Sequence, residues 1–249
     1  MNKFTFTASV CVAFFFAACG DDGGSSTRPS EESSSSVASP MSSWSGGGAG
    51  TIGSITDTRD GQTYKTVSIG TQTWMAENLN YKTDNSYCYD DEASNCSKYG
   101  RLYTWAAAMD SVGSLSANGK GCGYGKTCAP TNPVRGVCPT GWHLPTQTEW
   151  NTLFTAVGGQ SKAGKMLKST SGWNSSGNGT DAYSFSALPA GGRGGNGHFN
   201  YEGNNAYFWS STDDNSYYAY SMILYYNGDY AGLDDGNEGY GFSVRCVKD

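Results

Sequence analysis

The cysteine pattern restricts this chain more than any other feature. Two of its eight cysteines, Cys11 and Cys19, lie in an N-terminal apolar stretch; the others are Cys88, Cys96, Cys122, Cys128, Cys138 and Cys246. Six cysteines in an exported chain argue for three disulfides, which six thiols can form in fifteen ways. Two pairs are near neighbours, Cys88 with Cys96 and Cys122 with Cys128, each bounding a loop rich in small or polar residues. Cys138 and Cys246 are then left to tie the middle of the domain to its last strand. A loop of that length stabilises by about 4–5 kcal/mol in the chain-entropy account. The rival reading is zinc. No Cys-x-x-Cys occurs, and His143 and His198 are the only histidines, which does not suit a metal that takes four N or S ligands.

Export itself is read from residues 1–50. Lys3 precedes an apolar run from Ala8 to Ala18 centred on Phe14, Phe15 and Phe16. The run is too short for a membrane span of ~20 residues and fits a signal peptide over residues 1–18. Phe16-Ala17-Ala18-Cys19 resembles a bacterial lipobox, with Phe16 where Leu is usual, so Cys19 is expected to carry lipid. Plain secretion with cleavage after Ala18 is the simpler alternative. Residues 19–50 are the lipidated Cys and a tether dominated by Ser, Gly and Pro, too poor in apolar residues to bury a core. Asp21 and Asp22 resemble the acidic signals that send some lipoproteins to the outer surface. The expected location is the bacterial outer membrane or cell surface, with the lipid on Cys19 the sole membrane contact. Cleavage removes Lys3, leaving 15 basic against 22 acidic side chains, or −7. Nucleic acid is excluded as a partner, because that role needs a basic face.

The remainder, residues 51–249, reads as one domain. Charged residues are 15% of the whole chain, against roughly 25% in ordinary soluble proteins, and 35 Gly with 17 Tyr exclude a helical bundle. Thr63–Gly70 alternates as a strand and Thr73–Asn80 follows after one turn. Tyr99–Asp110 passes from strand-like to helix-like, with Ala106, Ala107 and Ala108 as good helix formers. A Gly-rich excursion from Ser111 to Val137 follows. Thr146 with Glu149 three residues on forms a capping box, and Trp150, Leu153, Phe154 and Val157 share one face of the predicted helix. That helix stops at Gly158-Gly159, a short second helix covers Ala163–Ser169, and everything after Ala182 reads as short strands and loops.

Three long motifs occur in order: RDGQTYKTVSIGTQTWMAENLNY (Arg59–Tyr81), YGRLYTWAAAMD (Tyr99–Asp110) and CPTGWHLPTQTEW (Cys138–Trp150). Together they resemble the Fibrobacter succinogenes major paralogous domain (FISUMP) family of exported, often lipid-anchored proteins. More distantly, HLPTQTEW resembles a helix start of formylglycine-generating enzymes, and the closing GFSVRCVKD resembles their final strand. That resemblance implies an α+β, C-type-lectin-like fold: a small twisted antiparallel sheet, two helices and long disulfide-bridged loops. It does not carry activity over. Those enzymes use a reactive cysteine pair late in the domain, whereas Pro139 to Arg245 contains no Cys.

The function expected is non-catalytic binding, and no cofactor is expected. Residues 198–242 hold 13 aromatic side chains, nine of them Tyr, and seven acidic ones, with no Lys or Arg between Arg193 and Arg245. Tyr, Ser, Gly and Asn are favoured by binding loops, and aromatic faces suit sugar rings. Tyr201, Tyr207, Trp209, Tyr218, Tyr220, Tyr226 and Tyr230 are therefore the candidate ligand residues. The partner is an extracellular polysaccharide or a protein. Alternation over Ser216–Tyr226 gives the structural counter-reading, with about half of the aromatics turned to the core. Asp213, Asp214 and Asn215, with Asp234, Asp235, Asn237 and Glu238, read as two acidic loop clusters that would suit Ca²⁺ through Asp213, Asp214, Asp234 and Asp235, although solvated turns account for them as well. The same acids would serve a carboxylate-dependent hydrolase, a rival to binding, as is a structural surface protein. GRGGNG (Gly192–Gly197) reads as a turn-rich loop, since the helix a dinucleotide site needs does not follow. His143 would be a general base with Glu149 or Asp110 as orienter, or simply a partly buried strand-end histidine. Trp74, Trp105, Trp142 and Trp150 are expected in the core.

Overall fold

The computed structural model describes residues 50–249. The signal peptide, Cys19 and all but the last residue of the tether lie outside the described residues. In chain order the strands are β1 (Thr51–Thr56), β2 (Thr63–Ile69), β3 (Gln72–Met75), β4 (Ser86–Tyr87), β5 (Leu102–Tyr103), β6 (Trp142–His143), β7 (Gly192–Arg193), β8 (Phe199–Asn200), β9 (Asn205–Asn215), β10 (Tyr218–Tyr225), β11 (Ala231–Asn237), β12 (Phe242–Ser243) and β13 (Val247–Lys248). The helices are α1 (Ala93–Tyr99), α2 (Trp105–Ala108), α3 (Gln147–Ala156) and α4 (Gln160–Leu167). The class is α+β.

Where a single small sheet was expected, two larger ones form. One runs β1-β2-β3-β13-β6 and the other β11-β10-β9-β12-β5-β4, with β7 and β8 a separate pair. Strand pairs are antiparallel except β12 with β9. The second half of the chain is also more regular than its reading as short strands and loops, because β9 and β10 make a long hairpin. All three disulfides form as the spacing pairs them: Cys88–Cys96, Cys122–Cys128 and Cys138–Cys246. The first closes on α1, where a loop was expected. The last fastens the insertion of β13 between β3 and β6, and the Met75 N–H donates to the Cys246 carbonyl at 3.0 Å.

Helix α3 starts as its sequence dictates. The Thr146 hydroxyl accepts from the Glu149 N–H, and the Glu149 carboxylate accepts from the Thr146 N–H, so two otherwise orphaned donors are satisfied. It ends at Gly158 and Gly159, whose φ values of +100° and +92° suit glycine and stop the helix. Trp150, Leu153 and Phe154 face inward and pack with Val67, Ile69 and Trp74 of the first sheet and Phe208, Met222 and Leu224 of the second. A second core cluster gathers Trp105, Trp142, Trp209 and the Cys138–Cys246 bridge. The four expected core tryptophans are all buried.

Candidate functional site

Cross-strand register decides which side chains of the β9–β10–β11 ribbon can meet a ligand. Ile223 lies opposite Tyr207 on one side and Gly232 on the other; Ser221 lies opposite Trp209 and Asp234; Ala219 lies opposite Asp213 and Gly236. Side chains alternate across a strand, so these residues share one face, on which Trp209 and Ala219 join the second core cluster, while Phe208, Met222 and Leu224 take the other and join the first. Phe242 of β12 extends the Ile223 face, stacking on Tyr207 with centroids 4.7 Å apart and packing on Trp209 at 4.5 Å. Gly236 has to be glycine here, because a Cβ would sit 2.6 Å from the Phe242 ring.

Over this face lies the β7–β8 hairpin, which is what GRGGNG builds. It is fixed by reciprocal bonds between Arg193 and Gly241, at 2.9 and 2.7 Å, and by the Gly191 N–H donating to Asn205 at 2.9 Å. Between hairpin and sheet is an open groove of about 650 Å³. Its aromatic walls are Tyr201, Tyr207, Tyr225, Tyr240 and Phe242, and its polar groups come from Asn196, Asn200, Ser221, Asp234 and Asp235. Tyr201 holds φ +68°, a conformation that strains a bulky side chain by ~1–3 kcal/mol, and its carbonyl accepts from the N–H groups of Asn204 and Asn205. Burial raises the Tyr207 and Tyr225 phenols above their usual range, and the charge of Asp234 adds to both shifts. Both hydroxyls are therefore protonated donors at neutral pH.

Of the candidate ligand residues, Tyr201 and Tyr207 line the groove. Trp209 is corrected: it is fully buried, and its indole N–H donates to the Tyr103 carbonyl at 2.7 Å. Tyr218 is exposed and Tyr220 donates to Asp214 at 3.1 Å, both outside the groove. Tyr226 lines a separate cleft with Lys168 and Asp229, and the Tyr230 ring covers Gly232. The expectation that half the aromatics of Ser216–Tyr226 face the core is also corrected, since none of Tyr217, Tyr218, Tyr220, Tyr225 and Tyr226 is buried. Asp234 and Asp235 sit within β11 and Asp213 and Asp214 within β9, not in loops. No group of three or more Asp, Glu, His or Cys among the described residues is placed to hold a metal ion.

The sequence groups Glu238 with the acidic cluster of Asp234 and Asp235, but it is buried and not a solvated turn acid. Only 1% of it is exposed, its N–H donates to Tyr217 and its carbonyl accepts from Trp105, yet neither carboxyl oxygen has a partner among the described residues. Burial, and after it the charge of Asp213, push this carboxyl up to about 7. No sequence signal marks it beyond its place beside the acidic strand.

His143 is buried at the end of β6, with Nδ1 2.7 Å from Asp249 and Nε2 2.8 Å from Glu149. Asp110 lies elsewhere, accepting three N–H groups from residues 114–116. A second large cleft, of about 490 Å³, reaches Arg245. That guanidinium is committed to the fold, donating to Asn78 and to the carbonyls of Phe185 and Ser186, and burial pulls it down to about 9. The groove over the ribbon is the better candidate, because the carboxylates of Asp234 and Asp235 make no salt bridge among the described residues and keep acceptor oxygens for a ligand.

The sequence pattern described as the Fibrobacter succinogenes major domain matches residues 67–248, which takes in every residue of the groove. No curated protein and no solved structure matches the chain.

Proposed function

This chain belongs to the Fibrobacter succinogenes major domain family, and from that footing we propose that it is a cell-envelope lipoprotein whose folded part is a non-catalytic binding module for extracellular polysaccharide. One observation carries the reading: the groove combines aromatic walls with amide, hydroxyl and carboxylate groups that no protein partner consumes entirely. Sugars present apolar ring faces edged by hydroxyls, and such a surface meets both. The lipid on Cys19 and the tether would hold the groove away from the membrane. The same proposal takes the fold to be C-type-lectin-like. In its support, the two segments that resemble formylglycine-generating enzymes lie side by side, with Val247 paired to His143.

The test is retention of the full oxidised chain on a panel of soluble and insoluble plant polysaccharides. Tyr225 and Tyr240 are 40% and 41% exposed, so replacing either by Ala spares the core. Each replacement is expected to weaken retention about tenfold, or ~1.4 kcal/mol. Tyr230→Ala, outside the groove, should leave it unchanged. No retention on any polymer would move the assignment to a protein partner.

A further inference from the structure

The groove carries its charge unevenly. Arg193 is its one basic lining residue, and its guanidinium is turned onto the Tyr87 ring, 3.9 Å from the centroid, with Phe199 at 5.7 Å. Tyr87 is not part of the groove. Asp234, by contrast, stands on the ligand-facing side of β11 between Gly232 and Gly236, opposite Ser221. None of these three has a side chain that can pair with its charge. Its Oδ1 accepts the Asp235 N–H at 3.0 Å, and no salt bridge reaches it among the described residues. Two protonated phenols, Tyr207 and Tyr225, share its field.

We propose that Asp234 sets the selectivity of the groove, accepting hydroxyls of uncharged hexose rings and excluding chains that carry uronate carboxylates. This inference rests on the polysaccharide reading and narrows it. A sugar hydroxyl donates to Oδ2, the carboxylate oxygen that the Asp235 N–H does not hold, while the ring face lies against Tyr225 or Tyr240. A uronate in the same place sets two negative charges side by side, while the one lining cation, Arg193, is turned onto the Tyr87 ring and makes no salt bridge to Asp234. At ~6 Å that repulsion corresponds to roughly threefold in affinity at the dielectric of water and about a hundredfold at that of a protein surface. Asp235 and the net charge of −6 act in the same direction over longer range.

The experiment pairs each soluble hexose polymer (β-glucan, mannan, galactan) with the same polymer oxidised at C6 to the uronate, and measures binding of the full chain to both. The expected result is a preference of about tenfold or more for the unoxidised member. Added salt should narrow it, because exposed charges are screened over ~3 Å at 1 M against ~10 Å at 0.1 M. Asp234→Asn should bring the paired affinities within about twofold. Asp229→Asn removes the same charge beside Lys168, in another cleft, and should keep the preference. Equal binding of both members by the wild-type chain, or a preference that survives Asp234→Asn, overturns the inference and leaves the binding reading in place. Failure to bind any unoxidised polymer overturns both.

Discussion

His143 and Glu238 are both buried and ionisable, and they settle their charge in opposite ways. His143 touches a carboxylate through each ring nitrogen. Carboxylates only accept, and a neutral imidazole donates from one nitrogen, so the ring is held as the imidazolium. Burial pulls its proton affinity down, but Glu149 and Asp249 outweigh that and raise it above 6.5. Its contribution is complete below pH 6.5 and fades as pH rises through the raised folded-state value. Thermal melts from pH 6 to 9 should show this decline in the wild-type chain, and His143→Asn should be less stable at pH 6 with a flatter profile. Glu238 has no partner, so it is the neutral acid that fits the fold. With a folded-state value of about 7 against 4.5, stability should fall as pH rises from 4.5 to 7, by up to ~3 kcal/mol. Glu238→Gln, neutral and of the same shape, is expected to erase that slope. Asp213→Asn should shrink it, since Asp213 is the second cause of the shift.

Elements whose rules are local were legible, and those set by register were not. The capping box, the inward face of α3 and its stop at Gly158-Gly159 all follow from residues within a few positions of one another. Thr146→Ala should cost about 1 kcal/mol in denaturant unfolding, the usual value of a lost cap. It also removes one of the two donors on Glu149 Oε2, the hydroxyl at 2.8 Å, and leaves only the residue-146 N–H to hold the carboxylate against His143, so the His143 pH profile should weaken in the same variant, while Thr146→Ser preserves both. The ribbon behaved differently. Alternation along Ser216–Tyr226 assigns faces correctly only in an unbroken ladder, and the β9–β10 register shifts between Tyr218 and Ala219 and again before Ser221. Tyr217 and Tyr218 are thereby carried to the exposed hairpin end, and the residues that reach the core are Ala219, Met222 and Leu224. Tyr201, Tyr207, Asp234 and Asp235 could be singled out from composition. Asn196, Asn200 and Tyr240 could not, because they join the groove only when the β7–β8 hairpin folds over a sheet built from later residues.

The three disulfides constrain the whole molecule unequally, and that inequality separates stability from the groove. Cys138–Cys246 closes 108 residues and Cys122–Cys128 only six. The chain-entropy account gives about 4–5 kcal/mol for the first and roughly 2–3 kcal/mol for the second. Their structural reach differs as well. Cys246 sits between Arg245, which is tied to Asn78, and β13, which joins β3 to β6; four residues earlier Phe242 supplies a groove wall. The Cys122–Cys128 loop meets the hairpin end instead, through the Gly125 N–H to Ser216 at 2.7 Å and the Tyr124–Tyr217 ring pair at 5.2 Å. Replacing Cys122 and Cys128 by Ser should therefore lower the unfolding midpoint and loosen Tyr124 and Tyr217, with glycan retention unchanged. Replacing Cys138 and Cys246 by Ser should lower the midpoint further and weaken retention too, because the strand that positions Phe242 loses its anchor. Denaturant unfolding and polysaccharide retention measured on both double variants decide it. Equal loss of retention in the two would mean that the groove depends on global stability, not on the local fastening of β12 and β13.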